Sequence, residues 1–65
     1  MPTRTIMVNE NGATYMAEIE VDLLDSERVV CALFTGRTCV AVGDGQDSFA
    51  AVEDALWCAL AKRAA

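Results

Sequence analysis

The stretch that decides the fold is VNENGATY, residues 8–15. Its central Asn-Gly pair is the strongest short hairpin signal, because a type I′ turn requires positive φ at both central positions. A two-residue turn at this point places Val8 opposite Tyr15 and Ile6 opposite Ala17, all on one face of the sheet. The chain therefore begins with an antiparallel hairpin.

A second hairpin is predicted further along the chain. Residues 36–37, Gly-Arg, suit a two-residue type II′ turn, which takes glycine at its first position. This turn sets Leu33 opposite Val40 and Cys31 opposite Val42. The third and fourth strands are therefore neighbours.

The connection between the two hairpins leaves the register open, and a slip of one residue moves every side chain to the other face. A two-residue loop puts Val21 opposite Val30. We choose a three-residue loop over residues 25–27, because it agrees with both neighbouring hairpins. Its pairs are Leu23 with Val29, Val21 with Cys31 and Ile19 with Leu33.

After the strands, DSFAAVEDALWCALAKRAA, residues 47–65, changes to helical spacing. An antiparallel sheet with one apolar face needs a cover, and an amphipathic helix supplies it. Asp47 or Ser48 can cap the helix start. We expect Trp57 to cover one end of the core, with the rim of an interface as the alternative. The helix is expected to turn an apolar stripe to the sheet: Phe49, Val52, Leu56, Ala59 and Leu60. The inner sheet face is expected to hold Ile6, Val8, Tyr15, Ala17, Ile19, Val21, Leu23, Val29, Cys31, Leu33, Val40 and Val42.

The prediction is thus one α+β domain over residues 1–65, a four-stranded antiparallel meander (ββββ) with one C-terminal helix packed on one face. A chain of 65 residues buries only about 60% of the surface that its unfolded form exposes, so its core is thin. The elements are predicted at about 3–9, 13–24, 28–35 and 38–43 for the strands, and about 48–63 for the helix.

The outer sheet face combines an acidic row with apolar neighbours. Glu18, Glu20 and Asp22 are expected beside Phe34, Ala32 and Val30, with Met7 paired to Met16 on one side and with Cys39 and Ala41 on the other. One interpretation is that the carboxylates only keep the face soluble. The other is a contact surface with an apolar centre and an acidic rim. Its candidate partner-binding residues are Glu18, Glu20, Asp22, Val30, Ala32, Phe34 and Met16.

Composition argues against several classes of function. Ten acidic and five basic residues give a net charge of −5, which disfavours nucleic acid and anionic membranes as partners. No signal peptide or membrane span is predicted, and three cysteines without C-x-x-C spacing are typical of free thiols in a reducing compartment. We expect a cytoplasmic protein.

Catalysis is not expected. The chain has no histidine, and the carboxylates on the open sheet have no pocket to tune their pKa values. The three cysteines do not converge as zinc ligands would, and Asp44 and Asp47 in the loop before the helix would repel a phosphate group. We therefore expect no enzyme activity, no metal and no cofactor, and Cys39 is the thiol expected to react.

Residues 43–60, GDGQDSFAAVEDALWCAL, resemble the end of two known modules. The first is the double-stranded-RNA-binding domain, in which strands lead through a glycine-containing loop into an alanine-rich helix. That family binds phosphate through lysines at the helix start, whereas the matching positions, 47–50, hold no basic residue. This resemblance is one of shape, over about the last third of the chain.

The second is the HicB-like antitoxin module of bacteria, a small meander followed by a helix that starts with a G-D-x-x-E-A-like motif. The matching segments here are 43–44, 49–50 and 53–55. This resemblance implies an acidic partner of a small basic protein, in agreement with the net charge. The family's central G-C is missing, and no DNA-binding segment follows. The length is also similar to that of many short bacterial proteins.

The sequence therefore predicts a non-enzymatic protein-interaction module that uses its outer sheet face. Its partner is either a second copy of the chain, giving a homodimer, or a basic protein. Two alternatives stay open: a nucleic-acid-binding shape that has lost its basic site, and a small thiol-responsive protein.

Overall fold

The computed structural model describes residues 3–64 and confirms the predicted α+β fold. Four antiparallel strands form one sheet in the order β1-β2-β3-β4, and one helix follows them. The elements are β1 Arg4–Glu10, β2 Ala13–Val21, β3 Val29–Thr35, β4 Thr38–Gly45 and α1 Ser48–Ala64.

The first hairpin has the predicted turn and register. Val8 lies opposite Tyr15 and Ile6 opposite Ala17. Asn11, with φ of 51°, and the glycine after it, with φ of 80°, both have the positive φ of a type I′ turn. The Asn-Gly pair alone thus sets the alignment of β1 on β2.

The register predicted between β2 and β3 is wrong by two residues. Val21 lies opposite Val29, and neither loop length considered above gives this pairing. Because the error is an even number of residues, each side chain keeps its predicted face.

The reason for that error is that β2 ends at Val21, three residues early. The Asp22 carboxylate accepts a hydrogen bond from the backbone N–H of Leu24 at 2.9 Å, and the Asp25 carboxylate accepts one from that of Glu27 at 3.0 Å. Such aspartate turns compete with strand pairing. Leu23, predicted to be in the core, is 95% exposed.

A β-bulge changes the second half of β4. Phe34 lies opposite Cys39, but Leu33 lies opposite Ala41 instead of Val40, so one extra residue enters β4. All later side chains of β4 are therefore on the face opposite to the predicted one. Ala41 is buried on the inner face, whereas Val42 is 55% exposed on the outer face.

The bulge turns two glycines of β4 toward the helix. A Cβ atom on Gly43 would lie 2.7 Å from the Cα atom of Ala55, and a Cβ atom on Gly45 would lie 2.6 Å from the Cβ atom of Ala50. The missing side chains let the helix backbone pack directly on the strand. We attribute the bulge to this close contact, since the predicted register would put Val42 beneath the helix instead.

The buried residues of the helix stripe are alanines, and the predicted stripe included only Ala59 among them. Ala51, Ala55 and Ala59 recur every four residues and are buried, while Val52 and Leu56 are partly buried beside them. The predicted stripe is wrong at Phe49, which is 74% exposed, and the core position predicted for Trp57 is wrong because it is 73% exposed. Only small side chains fit against the glycines of β4.

The helix covers about half of the sheet. It packs mainly on β4 and β3 and touches β2 at one margin. Asp47 caps its start: the carboxylate accepts a hydrogen bond from the backbone N–H of Ala50 at 2.8 Å. The core consists of Tyr15, Ala17, Ile19, Cys31, Leu33, Ala41, Ala51, Ala55 and Ala59.

Candidate functional site: the outer sheet face

The outer sheet face brings six of the seven predicted site residues together. They form three neighbouring cross-strand pairs between β2 and β3, and the corrected register changes which partner each one has. The pairs are Met16 with Phe34, Glu18 with Ala32, and Glu20 with Val30. Asp22 is separate from this face, because β2 has already ended and its carboxylate belongs to the turn at Leu24.

The pairs continue onto the outer strands and define what we call the outer patch. Met7 of β1 lies opposite Met16, Val42 of β4 lies opposite Ala32, and Cys39 lies opposite Phe34. Met7 is 63% exposed. The apolar members of the outer patch are Met7, Met16, Val30, Ala32, Phe34 and Val42.

Acidic side chains border the outer patch on one side. Glu18 and Glu20 project from β2, and Asp44 lies opposite Val30 on β4. The Oγ1 atom of Thr3 lies 3.4 Å from Glu20 Oε2. Arg28 forms an ion pair with Asp44, with 3.4 Å between guanidinium nitrogen and carboxylate oxygen. Arg28 offsets the charge of Asp44, and the border keeps a net negative charge through Glu18 and Glu20.

Sequence reasoning missed two members of this surface, Val42 and Asp44. Both became outer-face residues through the bulge, whose position has no short motif of its own. The signal that was present is the Gly-Asp-Gly segment, residues 43–45, whose Asp44 the sequence analysis places in the loop before the helix. Glycine inside a strand often marks a close approach of another backbone, and here that backbone is the helix.

The three cysteines differ in their burial, and none of them forms a disulfide. Cys31 is buried in the core, and its burial raises the pKa of the thiol. Cys39 is exposed at the margin of the outer patch, with its sulfur 3.7 Å from the carbonyl oxygen of Ala41. Within residues 3–64, no three Cys, Asp or Glu side chains are placed to hold a metal ion.

An open depression of about 630 Å³ lies on the opposite side of the sheet from the outer patch, near the helix C-terminus. Lys62 is its charged lining residue, and its ammonium group donates a hydrogen bond to the carbonyl oxygen of Val40 at 3.1 Å. The rest of the lining is Ala13, Thr14, Tyr15, Thr35, Val40 and Ala59. The Lys62 ammonium group is thus engaged in a hydrogen bond to the backbone of β4.

Across the described residues, no helix has the length and apolar character needed to cross a membrane. The chain matches no protein-family model, no curated protein and no solved structure.

Proposed function

We propose that this protein is a non-enzymatic interaction module that binds a basic partner protein through the outer patch. The observation that supports this most is the apolar centre of the patch, which no element within residues 3–64 covers. Met7 and Val42 are both more than half exposed, and they stand on opposite outer strands of the same face. Monomeric proteins seldom leave a contiguous apolar surface of several hundred Å² without a binding role.

The arrangement of polar groups supports a protein as the ligand. An apolar centre with a charged border is the usual anatomy of a protein–protein interface. Here Glu18 and Glu20 supply the border, and the flat surface of a sheet suits a broad contact better than a small molecule, which needs a concave site.

Charge supports a basic partner over a second copy on this same face. Two outer patches packed face to face with their acidic borders aligned would bring like charges together, which is unfavourable across an interface. A partner with lysine or arginine around an apolar centre would pair with Glu18, Glu20 and Asp44. Its binding would weaken as salt screens these charges.

The test compares two variants that each add one negative charge at an exposed apolar position. Val42→Asp changes an exposed apolar member of the outer patch, and Leu23→Asp changes the distant loop. Extract proteins retained on the immobilised wild type are identified, and each candidate is then purified for calorimetry. The expected partner is basic, binds the Leu23→Asp variant as it binds the wild type, and binds Val42→Asp at least tenfold more weakly.

Salt dependence and charge removal complete the test. Affinity should fall between low and physiological salt, and the salt dependence should be smaller for a Glu18→Gln/Glu20→Gln variant. The proposal is overturned when every retained protein binds both aspartate variants with equal affinity. It is also overturned when the affinity and its salt dependence do not change in the Glu18→Gln/Glu20→Gln variant.

A further inference from the structure

The two edges of the sheet differ in how their outward-facing backbone groups are used. On β4, the backbone N–H of Asp44 donates to the Asp54 carboxylate at 3.0 Å, and the carbonyl oxygen of Val40 accepts from the Lys62 ammonium group at 3.1 Å. Both partners project from the helix. The helix therefore occupies two of the outward-facing backbone groups of the β4 edge and partly blocks it, as proteins often protect edge strands.

The β1 edge is open. In the two-residue hairpin Glu10 and Ala13 form the closing hydrogen-bonded pair, and such pairs alternate along an antiparallel ladder. The even-numbered residues of β1 therefore bond to β2. The N–H and C=O groups of Thr5, Met7 and Asn9 point away from the sheet, and no hydrogen bond from the described residues reaches these backbone groups.

The sequence of β1, RTIMVNE, is self-complementary when two copies run antiparallel about Met7. Arg4 then faces Glu10 of the second copy, and Ile6 faces Val8 of the second copy. Thr5 and Asn9 face each other in the same way. The basic residue and the acidic residue of the strand thus pair twice, once on each side of the two-fold axis.

We propose that two copies of this chain pair through their β1 edges in this register and form one continuous eight-stranded sheet. Of the antiparallel registers that join the outward-facing groups, this one pairs all seven residues of β1 and sets Arg4 opposite Glu10. The odd-numbered residues face each other, so their N–H and C=O groups form about six new hydrogen bonds.

The remaining surfaces of β1 agree with this arrangement. The helix packs mainly on β4 and β3. Of β1, only Glu10 at one end lines a depression together with the helix residues Leu56, Trp57 and Leu60, so the rest of the β1 edge has room for a second sheet. Ile6, which is 42% exposed, gains Val8 of the second copy as a neighbour on the inner face. On the outer face, the exposed Met7 side chains of the two copies meet at the axis, flanked by both Met16 side chains.

This inference goes beyond the proposed function, because it concerns the backbone groups of a strand edge, and it shares with the outer patch only Met7 and the neighbouring Met16. The two stand independently: Val42→Asp should leave the dimer unchanged, and charge reversal at the edge should leave each copy's patch in place. In the dimer the two outer patches become parts of one surface.

The test is a charge exchange between copies, measured by sedimentation velocity over a concentration series at low salt. Arg4→Glu and Glu10→Arg each place like charges opposite one another in the homodimer, so each variant should dimerise at least tenfold more weakly than the wild type. An equimolar mixture of the two variants pairs opposite charges at both positions. The mixture, and the double variant Arg4→Glu/Glu10→Arg, should recover dimerisation.

Matched controls separate this pairing from net charge. Arg37→Glu and Glu27→Arg change the net charge by the same amounts at exposed turn and loop positions, and both should dimerise as the wild type does. Circular dichroism establishes that all variants are folded. The inference is overturned by a wild type that stays monomeric at about millimolar concentration, or by a mixture that dimerises no better than its components.

A measurement on the unaltered chain gives a second readout. Amide hydrogen exchange followed by NMR should show protection of Thr5, Met7 and Asn9 that rises with protein concentration. Val42 and Asp44, on the partly blocked β4 edge, should show no such rise. Concentration-dependent protection on β4, or none on β1, would exclude the proposed seam.

Discussion

Replacing Gly43 with alanine tests whether the helix packs directly on the backbone of β4. The new Cβ atom would lie 2.7 Å from both the Cα atom of Ala55 and the carbonyl carbon of Asp54. These are backbone atoms, so no side chain can rotate away. The backbone N of Ala55 would lie closer still, and ordinary contact begins at 3.4 Å, so the helix must move away by more than about 0.7 Å, the difference between these two distances.

The magnitude follows from that displacement. A gap of 0.5–1 Å removes about a quarter to a half of the dispersion attraction across it. Ala51, Ala55 and Ala59 each bury a methyl group worth about 0.8 kcal/mol, so loosening all three loses about 1 kcal/mol. Overpacking strain adds about 1–3 kcal/mol. We expect Gly43→Ala to lower the free energy of unfolding by about 2–4 kcal/mol, most of what a domain of this size has.

Urea denaturation followed by far-UV circular dichroism measures this loss. Tryptophan fluorescence is the poorer probe, because Trp57 is exposed in the folded state. Gly36→Ala is the control, since its new Cβ atom meets nothing within 4 Å and only the positive φ of 61° is unfavourable. That variant should lose about 1 kcal/mol. The direct helix–strand contact is refuted when Gly43→Ala loses no more than Gly36→Ala.

Four further expectations follow from burial and hydrogen bonding. A thiol reagent should modify Cys39 in the folded protein and reach Cys31 only after unfolding. Because burial raises the pKa of Cys31, this thiol ionises at lower pH in the unfolded chain than in the folded protein. The free energy of unfolding should therefore not depend on this group below about pH 8.5 and should fall above it. A Cys31→Ala variant with an unchanged alkaline slope would contradict this. Asp47→Ala removes the helix cap and should lower the unfolding free energy by about 1 kcal/mol, measured by urea denaturation. Leu23→Ser should change the same quantity by less than about 0.5 kcal/mol, because the side chain is already in water; a larger loss would place Leu23 in the core.

The conformation of a turn could be predicted from the sequence where one residue pair determines the backbone φ angles. Asn-Gly at positions 11–12 fixed the first hairpin, because few other dipeptides accept positive φ at both positions. The predicted register of the connection between β2 and β3 was wrong for a related reason. Leu23 was assigned by its apolar character, although Asp22 and Asp25 on either side of it are turn formers whose carboxylates bind nearby backbone N–H groups.

The helix interface was the least predictable part. Large apolar residues normally indicate the buried face of a helix, and this rule selected Phe49 instead of Ala51. The deciding residues lie in β4, where Gly43 and Gly45 remove the side chains that would hold the helix away. A single-sequence pattern shows each set of small residues but not that they meet in space.

Part of the outer patch was predicted from the sequence. A register error of an even number of residues leaves each side chain on its predicted face of the sheet. Glu18 and Glu20 therefore stayed on the predicted side despite wrong partners. Val42 could not be placed there, because one inserted residue at the bulge reverses the alternation of β4. Face assignment in a strand thus depends on counting residues without error from the nearest turn.

The unequal edges of the sheet also limit how far the protein can polymerise. Pairing through β1 consumes the open edge of both copies, and the two edges that remain are both β4. Asp54 accepts from the backbone N–H of Asp44 and Lys62 donates to the carbonyl oxygen of Val40 on each of these edges, so a third copy would meet an interrupted ladder. Assembly then stops at a closed pair instead of continuing as a fibre. Without these two helix side chains, the β4 edge of each copy could pair with a further copy, and the sheet could continue to grow.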